Sequence, residues 1–124
     1  MGFNKMVAQR LKERRQLECA LRVVEGDVAG LTRKWRHGRA TVGPRRIEFT
    51  LYLPTGIRVR RPWAKPVVLL VTEMDGADRQ PDLAELWSLN AATDVVRVRT
   101  VGGAVLEWAI QQFQREWAVA QVTQ

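Results

Sequence analysis

The stretch RIEFTLYL, residues 46–53, decides the fold class. Ile47, Phe49, Leu51 and Leu53 fall on one face of an extended chain and Arg46, Glu48, Thr50 and Tyr52 on the other, the period of two of a half-buried strand. A one-residue slip would turn four large apolar groups into water, so the register is strongly specified. Gly43 and Pro44 on one side, and Pro54, Thr55 and Gly56 on the other, are turn formers that bound the strand. Upstream, residues 17–24 set Leu17, Cys19, Leu21 and Val23 against Glu18, Ala20 and Arg22. Residues 35–42 form a weaker strand, because Gly38 lowers the propensity. Downstream, Ile57 and Val59 alternate with Arg58 and Arg60 up to Pro62. The run Val67, Val68, Leu69, Leu70, Val71, within a strand over 66–72, is expected to be covered on both faces. Residues 74–82 read as an acidic, turn-rich loop, 83–89 as a short strand around Leu86 and Trp87, and 94–101 as a strand with Val96 and Val98 opposite Arg97 and Arg99.

The period then changes. Val105, Leu106, Ala109, Ile110, Phe113, Trp117 and Ala120 recur three or four apart, which predicts an amphipathic helix after the Gly102–Gly103 break, with Thr100 as a candidate cap. Short strands in succession, with no crossover helices between them, exclude a parallel doubly wound sheet. The expected fold is mainly β: a six- or seven-stranded antiparallel barrel or orthogonal sandwich over residues 17–124, capped by a C-terminal α-helix. Trp117 and Phe113 are expected to plug one end, and burying a large aromatic contributes roughly 2 to 3 kcal/mol. Residues 1–16 read as a basic amphipathic helix or tail, with Phe3, Met6, Val7 and Leu11 among Lys5, Arg10, Lys12, Arg14 and Arg15.

The 124 residues carry a formal net charge of +7, unevenly spread. Residues 1–61 hold 15 basic and 5 acidic side chains, and residues 62–124 hold 5 and 8. Such a surface attracts phosphates, anionic headgroups or an acidic protein face. Arg33, Lys34, Arg36 and Arg39 cluster at the first predicted hairpin, Arg45 and Arg46 follow the next turn, and Arg58, Arg60, Arg61 and Lys65 flank a third. Guanidinium groups bind phosphate or carboxylate through two donors at once, which makes these residues the candidate anion- or partner-binding set. Trp63, between Pro62 and Ala64 in the third turn, joins them as an interfacial anchor, and Trp108, toward the side of the helical stripe, is a second candidate for exposure.

Signatures of catalysis are absent. His37 is the single histidine and Cys19 the single cysteine, too few for a closed zinc shell, and Cys19 lies on an inward strand face where a thiol acts as a small apolar filler. Glu73, Asp75, Asp78, Asp82 and Glu85 lack calcium-loop spacing and read as a solvated loop. Gly102 and Gly103 do not begin a phosphate-binding fingerprint. No enzyme activity, cofactor or metal is expected. One unpaired cysteine fits a reducing, cytoplasmic compartment, and no apolar run reaches the ~20 residues of a spanning helix.

The order of strands followed by a Trp-containing helix over 106–117 resembles the pleckstrin-homology-like superfold. Residues 17–22, then Lys34, Trp35, Arg36, His37 and Gly38, then residues 45–53 and 58–62, are similar to an uncharacterised actinobacterial family of short proteins. Members of that family usually carry an N-terminal membrane anchor, and this sequence is expected to depart from them there. The resemblance implies a noncatalytic adaptor for a protein or peptide partner, peripheral to the inner face of an anionic membrane. In lipid-binding members of the superfold the first hairpin grips inositol phosphates through a Lys-then-Arg-x-Arg motif; Lys34, Arg36 and Arg39 match it in part. A nucleic-acid-binding barrel, with Trp35, Tyr52 or Trp63 stacking on bases, is the weaker alternative.

Overall fold

A computed structural model describes residues 5–52, 65–74 and 79–124. Six antiparallel strands follow one another around a closed ring: β1 (Gln16–Glu25), β2 (Arg36–Gly43), β3 (Arg46–Leu51), β4 (Val67–Met74), β5 (Thr93–Thr100) and β6 (Val105–Gln111), with β6 pairing back onto β1. Helix α1 (Lys5–Glu13) precedes the barrel, and α2 (Gln112–Thr123) follows it directly. Closure gives each strand a neighbour on both sides along its paired length, which removes the open edge that a flat sheet would present.

The alternation in residues 46–53 predicts the wall well. Ile47, Phe49 and Leu51 point inward, as do Leu17, Cys19, Leu21 and Val23 of β1, and together with Ala40, Val42, Leu69, Val96, Val98, Leu106, Trp108 and Ile110 they fill the lumen. A barrel this narrow is packed solid by its own side chains. The free Cys19 thiol belongs to this core; burial pushes it up to about 12, against the opposing pull of the Trp108 indole, so it stays protonated and apolar at neutral pH.

Several expectations change. β6 and α2 occupy the stretch expected to be one helix: residues 105–111 are strand, and Val105 to Ile110 are all buried. A strand covered on both faces loses its alternation, and its apolar residues fall at helical intervals by accident. Trp108, expected near the side of a helical stripe, is therefore fully buried in the barrel. The face that α2 lays on the barrel end is Gln114, Ala118 and Val122; Trp117 is only partly buried and Phe113 is 55% exposed. Conversely, β4 is covered on one face only, with Val68 and Leu70 half in water.

Residues 83–89 are not a strand either. Asp82 and Glu85 form a reciprocal cap, with the Glu85 amide donating to Asp82 Oδ1 at 2.9 Å and the Asp82 amide to Glu85 Oε1 at 3.1 Å, and a single 3-10 turn follows over Glu85–Trp87. Thr100 caps no helix; its hydroxyl oxygen accepts from the Ala104 amide at 3.1 Å and closes the β5–β6 turn. The predicted strand around Ile57 and Val59 lies outside the described residues.

Two backbone positions set the ends and the wall. The β2–β3 hairpin pairs Gly43 with Arg46, leaving Pro44 and Arg45 as its two turn residues; Arg45 has φ 58, and its amide donates to the Val122 carbonyl of α2 at 2.8 Å. The turn and the helix thus lock each other at one end of the barrel. In β2, a Cβ on Gly38 would come within 2.2 Å of the Thr50 carbonyl oxygen and 2.7 Å of the Phe49 ring. The glycine that weakens the strand by propensity is the residue that lets β3 approach. Gly38→Ala is expected to destabilise the barrel by about 2 kcal/mol, the usual scale of overpacking, read as a lowered urea midpoint with an unchanged slope.

Candidate functional site

The outer faces of β1, β6 and β5 carry the unusual chemistry. Arg22 on β1 stands directly opposite Glu107 on β6, and Ala20 opposite Ala109 one step along. Over this face the chain returns after β4: Arg79 bridges to Val95 of β5, and residues 80–92 continue across the sheet. Leu89 packs on Ala20, Ala109 and Val95, with Trp35 alongside, as a second small core outside the barrel.

An ion network pins this segment down. Glu107 accepts from Arg22 Nε at 2.8 Å and Nη2 at 2.5 Å, and from Arg79 Nε and Nη2, each at 2.9 Å. Arg79 also donates to both oxygens of Glu85, at 2.5 and 2.8 Å. The Trp35 indole donates to Glu85 Oε2 at 3.0 Å, and the Arg22 guanidinium lies 4.9 Å from the centre of that indole ring. Burial would push the Glu107 carboxyl up, but the donors from Arg79 and Arg22 outweigh it and hold the group below its ordinary value. The same hydrogen bonds from Arg79, opposed by burial and aided by the Asp82 amide and Trp35, bring Glu85 down to about 2. Glu85 is therefore a buried anchor, not part of a solvated acidic loop.

Beside the pinned segment lies a cleft of about 610 Å³. Its floor is Ala20 and Ala109, small residues that leave depth between the strands and the ledge above. Trp35, His37 and Tyr52 form one wall, and Trp87, Ser88, Leu89 and Asn90 the other. Trp87 is 94% exposed and stands free on the rim, because its neighbour Glu85 is the residue held down. At the base, the Tyr52 hydroxyl donates to Glu18 Oε2, and Arg39 Nη2 lies 3.5 Å from Glu18 Oε1. Burial, with Glu18 adding to it, pushes the Tyr52 phenol well above its ordinary value, so it remains a protonated donor. Glu18 has Tyr52 and Arg39 as partners, Tyr52 keeps its proton, and His37 is exposed on the wall. The cleft thus presents aromatic surface beside a carboxylate hydrogen-bonded at its base.

The candidate cations are distributed around the barrel. Arg33 and Lys34 are exposed in the β1–β2 connection, Arg36 begins β2 and Lys65 precedes β4, all at the end opposite α2. Arg45 and Arg46 sit at the α2 end, Arg45 donating to the Thr72 carbonyl at 3.0 Å and Arg46 lying 3.9 Å from Glu48. Arg39 belongs to the cleft base through Glu18. Arg58, Arg60, Arg61 and Trp63 lie outside the described residues.

Several cleft residues carry no signal in the sequence. Glu18 and Ala20 read as the outward face of a strand and Ala109 as part of a helical stripe, and only the overlying segment makes them one site. One signal was legible: Asp82 and Glu85 have the spacing of a capping box, which marks a helical turn rather than a strand. No protein-family model, curated protein or solved structure matches the chain.

Proposed function

We propose that the chain is a noncatalytic binding module that recognises a protein or peptide partner through the Trp35–Tyr52–Trp87 cleft. The carrying observation is Trp87: a tryptophan almost wholly exposed, on a turn clamped by Glu85 and Arg79, at the rim of a cleft of about 610 Å³. Tryptophan in such a position is the residue type that dominates binding energy at interfaces. The rigid base supports the same reading, since a preorganised wall loses less freedom on binding. Barrel and C-terminal helix are compatible with a pleckstrin-homology-like module. An added-strand mode of binding has less support, because the ring leaves no free edge along its paired lengths.

The test is a synthetic nonapeptide array followed by NMR titration of the isotope-labelled protein. Peptides that bind are expected to shift the amides of Ala20, Ser88, Leu89 and Ala109 and the Trp87 indole. Trp87→Ser should weaken them about 10-fold or more, as loss of an interface anchor does, while the melting temperature stays near that of the parent. Binding that leaves Trp87→Ser unaffected, or an array without a single binder, overturns the proposal.

A further inference from the structure

Resting on that reading of the cleft, we infer that the side chain it selects is a cation: a lysine or arginine of the partner peptide, free or methylated. The chain as a whole carries +7, yet among the described residues the lining of the cleft includes one carboxylate, Glu18, and no lysine or arginine. At physiological salt charges are screened beyond about 8 Å, so what an entering group feels is Glu18 together with its ion-pair partner Arg39, and not the net charge of the chain.

Glu18 retains capacity for a ligand. A carboxylate offers about four lone-pair sites, and Tyr52 and Arg39 take one each, the second at a long 3.5 Å. Arg39 meets Glu18 at the cleft base with a side chain 35% exposed, and is not itself among the lining residues. The burial of Glu18, at 9% exposure, lets a ligand meet it only by entering the cleft. An entering cation would find three aromatic rings, and rings of this kind attract ammonium and guanidinium groups through their faces. The wall already does so once: Arg22 lies 4.9 Å from the Trp35 ring centre. The aliphatic stem of a lysine or arginine suits the Ala20 and Ala109 floor, while Ser88, Asn90 and Gln111 supply further acceptors. An aspartate or glutamate would meet Glu18 as a like charge.

The probes are acetylated, amidated tripeptides Gly-X-Gly, with X lysine, arginine, trimethyl-lysine, leucine or glutamate, titrated at millimolar concentration and followed through the same cleft amides. The cationic peptides are expected to bind about 10-fold more tightly than the leucine peptide, with the glutamate peptide weakest. Glu18→Gln keeps an acceptor for Tyr52 and should collapse the cation preference, read as the ratio of lysine-peptide to leucine-peptide affinity, toward unity; a thermal melt verifies folding. If leucine and lysine peptides shift the cleft equally, or Glu18→Gln leaves the preference intact, the inference is overturned while the peptide-binding reading stands. If no peptide of either set shifts the cleft amides, that reading falls and the inference with it.

Discussion

Trp108→Ala is expected to cost about 3 to 5 kcal/mol, the range for removing a large buried aromatic, and Trp117→Ala much less. The two tryptophans sit nine positions apart on a stretch that reads as one amphipathic helix, yet Trp108 has no exposed surface and Trp117 is only partly buried, with the Lys12 ammonium 5.7 Å from its ring centre. Trp108 fills the middle of the lumen between Leu21 and Val96, its register partners on β1 and β5. Its removal leaves a void that a closed ring of strands has little freedom to collapse. Urea unfolding of the two variants in parallel measures the difference. Equal losses would mean that residues 105–111 pack as the outer face of a helix and not as a barrel strand.

Glu107→Ala is expected to cost about 3 kcal/mol at neutral pH. Removing one partner of a buried ion pair typically costs 3 to 5 kcal/mol because the other charge is stranded. The lower end applies, since the Arg22 and Arg79 side chains are 30% and 36% exposed and water can re-solvate them. The loss should also depend on pH in a specific direction. Glu85 and Glu107 titrate below their ordinary value of 4.5 in the folded protein, Glu85 at about 2. Groups depressed in this way stabilise the fold fully above the unfolded-state value and lose that contribution as pH falls through the folded one. The parent is therefore expected to lose stability as the pH falls below about 4.5, with the Glu85 share lost near pH 2, and Glu107→Ala to show a shallower acid limb, so that the two curves draw together as the pH falls. Chemical unfolding at a series of pH values reads this; parallel curves would place the stabilisation elsewhere than in the carboxylates. Because Glu85 and Arg79 also clamp the turn that carries Trp87, Glu107→Ala should weaken cleft binding even where the barrel remains folded.

Two apolar runs are alike in the sequence and opposite in the fold. Residues 67–71 are an unbroken run of five aliphatic side chains, and residues 104–110 mix alanine, valine, leucine and tryptophan around one glutamate. Composition favours the first as the strand covered on both faces. The covered one is β6, because residues 79–92 lie across it and across its neighbours β5 and β1. Which strand receives such a cover depends on the path of a loop, and no local period records it. The single glutamate within β6 is the clue that makes sense afterwards, since Glu107 is the residue to which the cover is tied.

The sequence by itself determined the class of fold and the inward face of most of the wall. Those properties follow from period-two burial in Leu17 to Val23 and in Ile47 to Leu51, which are local and costly to violate. The apolar role of Cys19 and the helical character of residues 112–123 were legible for the same reason. The tertiary structure alone decided the closure of β6 onto β1, the burial of Trp108, the need for glycine at position 38 and the existence of the cleft. Each depends on groups far apart in the chain: Glu107 meets Arg22 across 85 residues, and Glu85 meets Trp35 across 50. A carboxylate and an arginine read one at a time look like solvated surface, and only their approach in three dimensions turns them into the clamp that holds Trp87 at the rim.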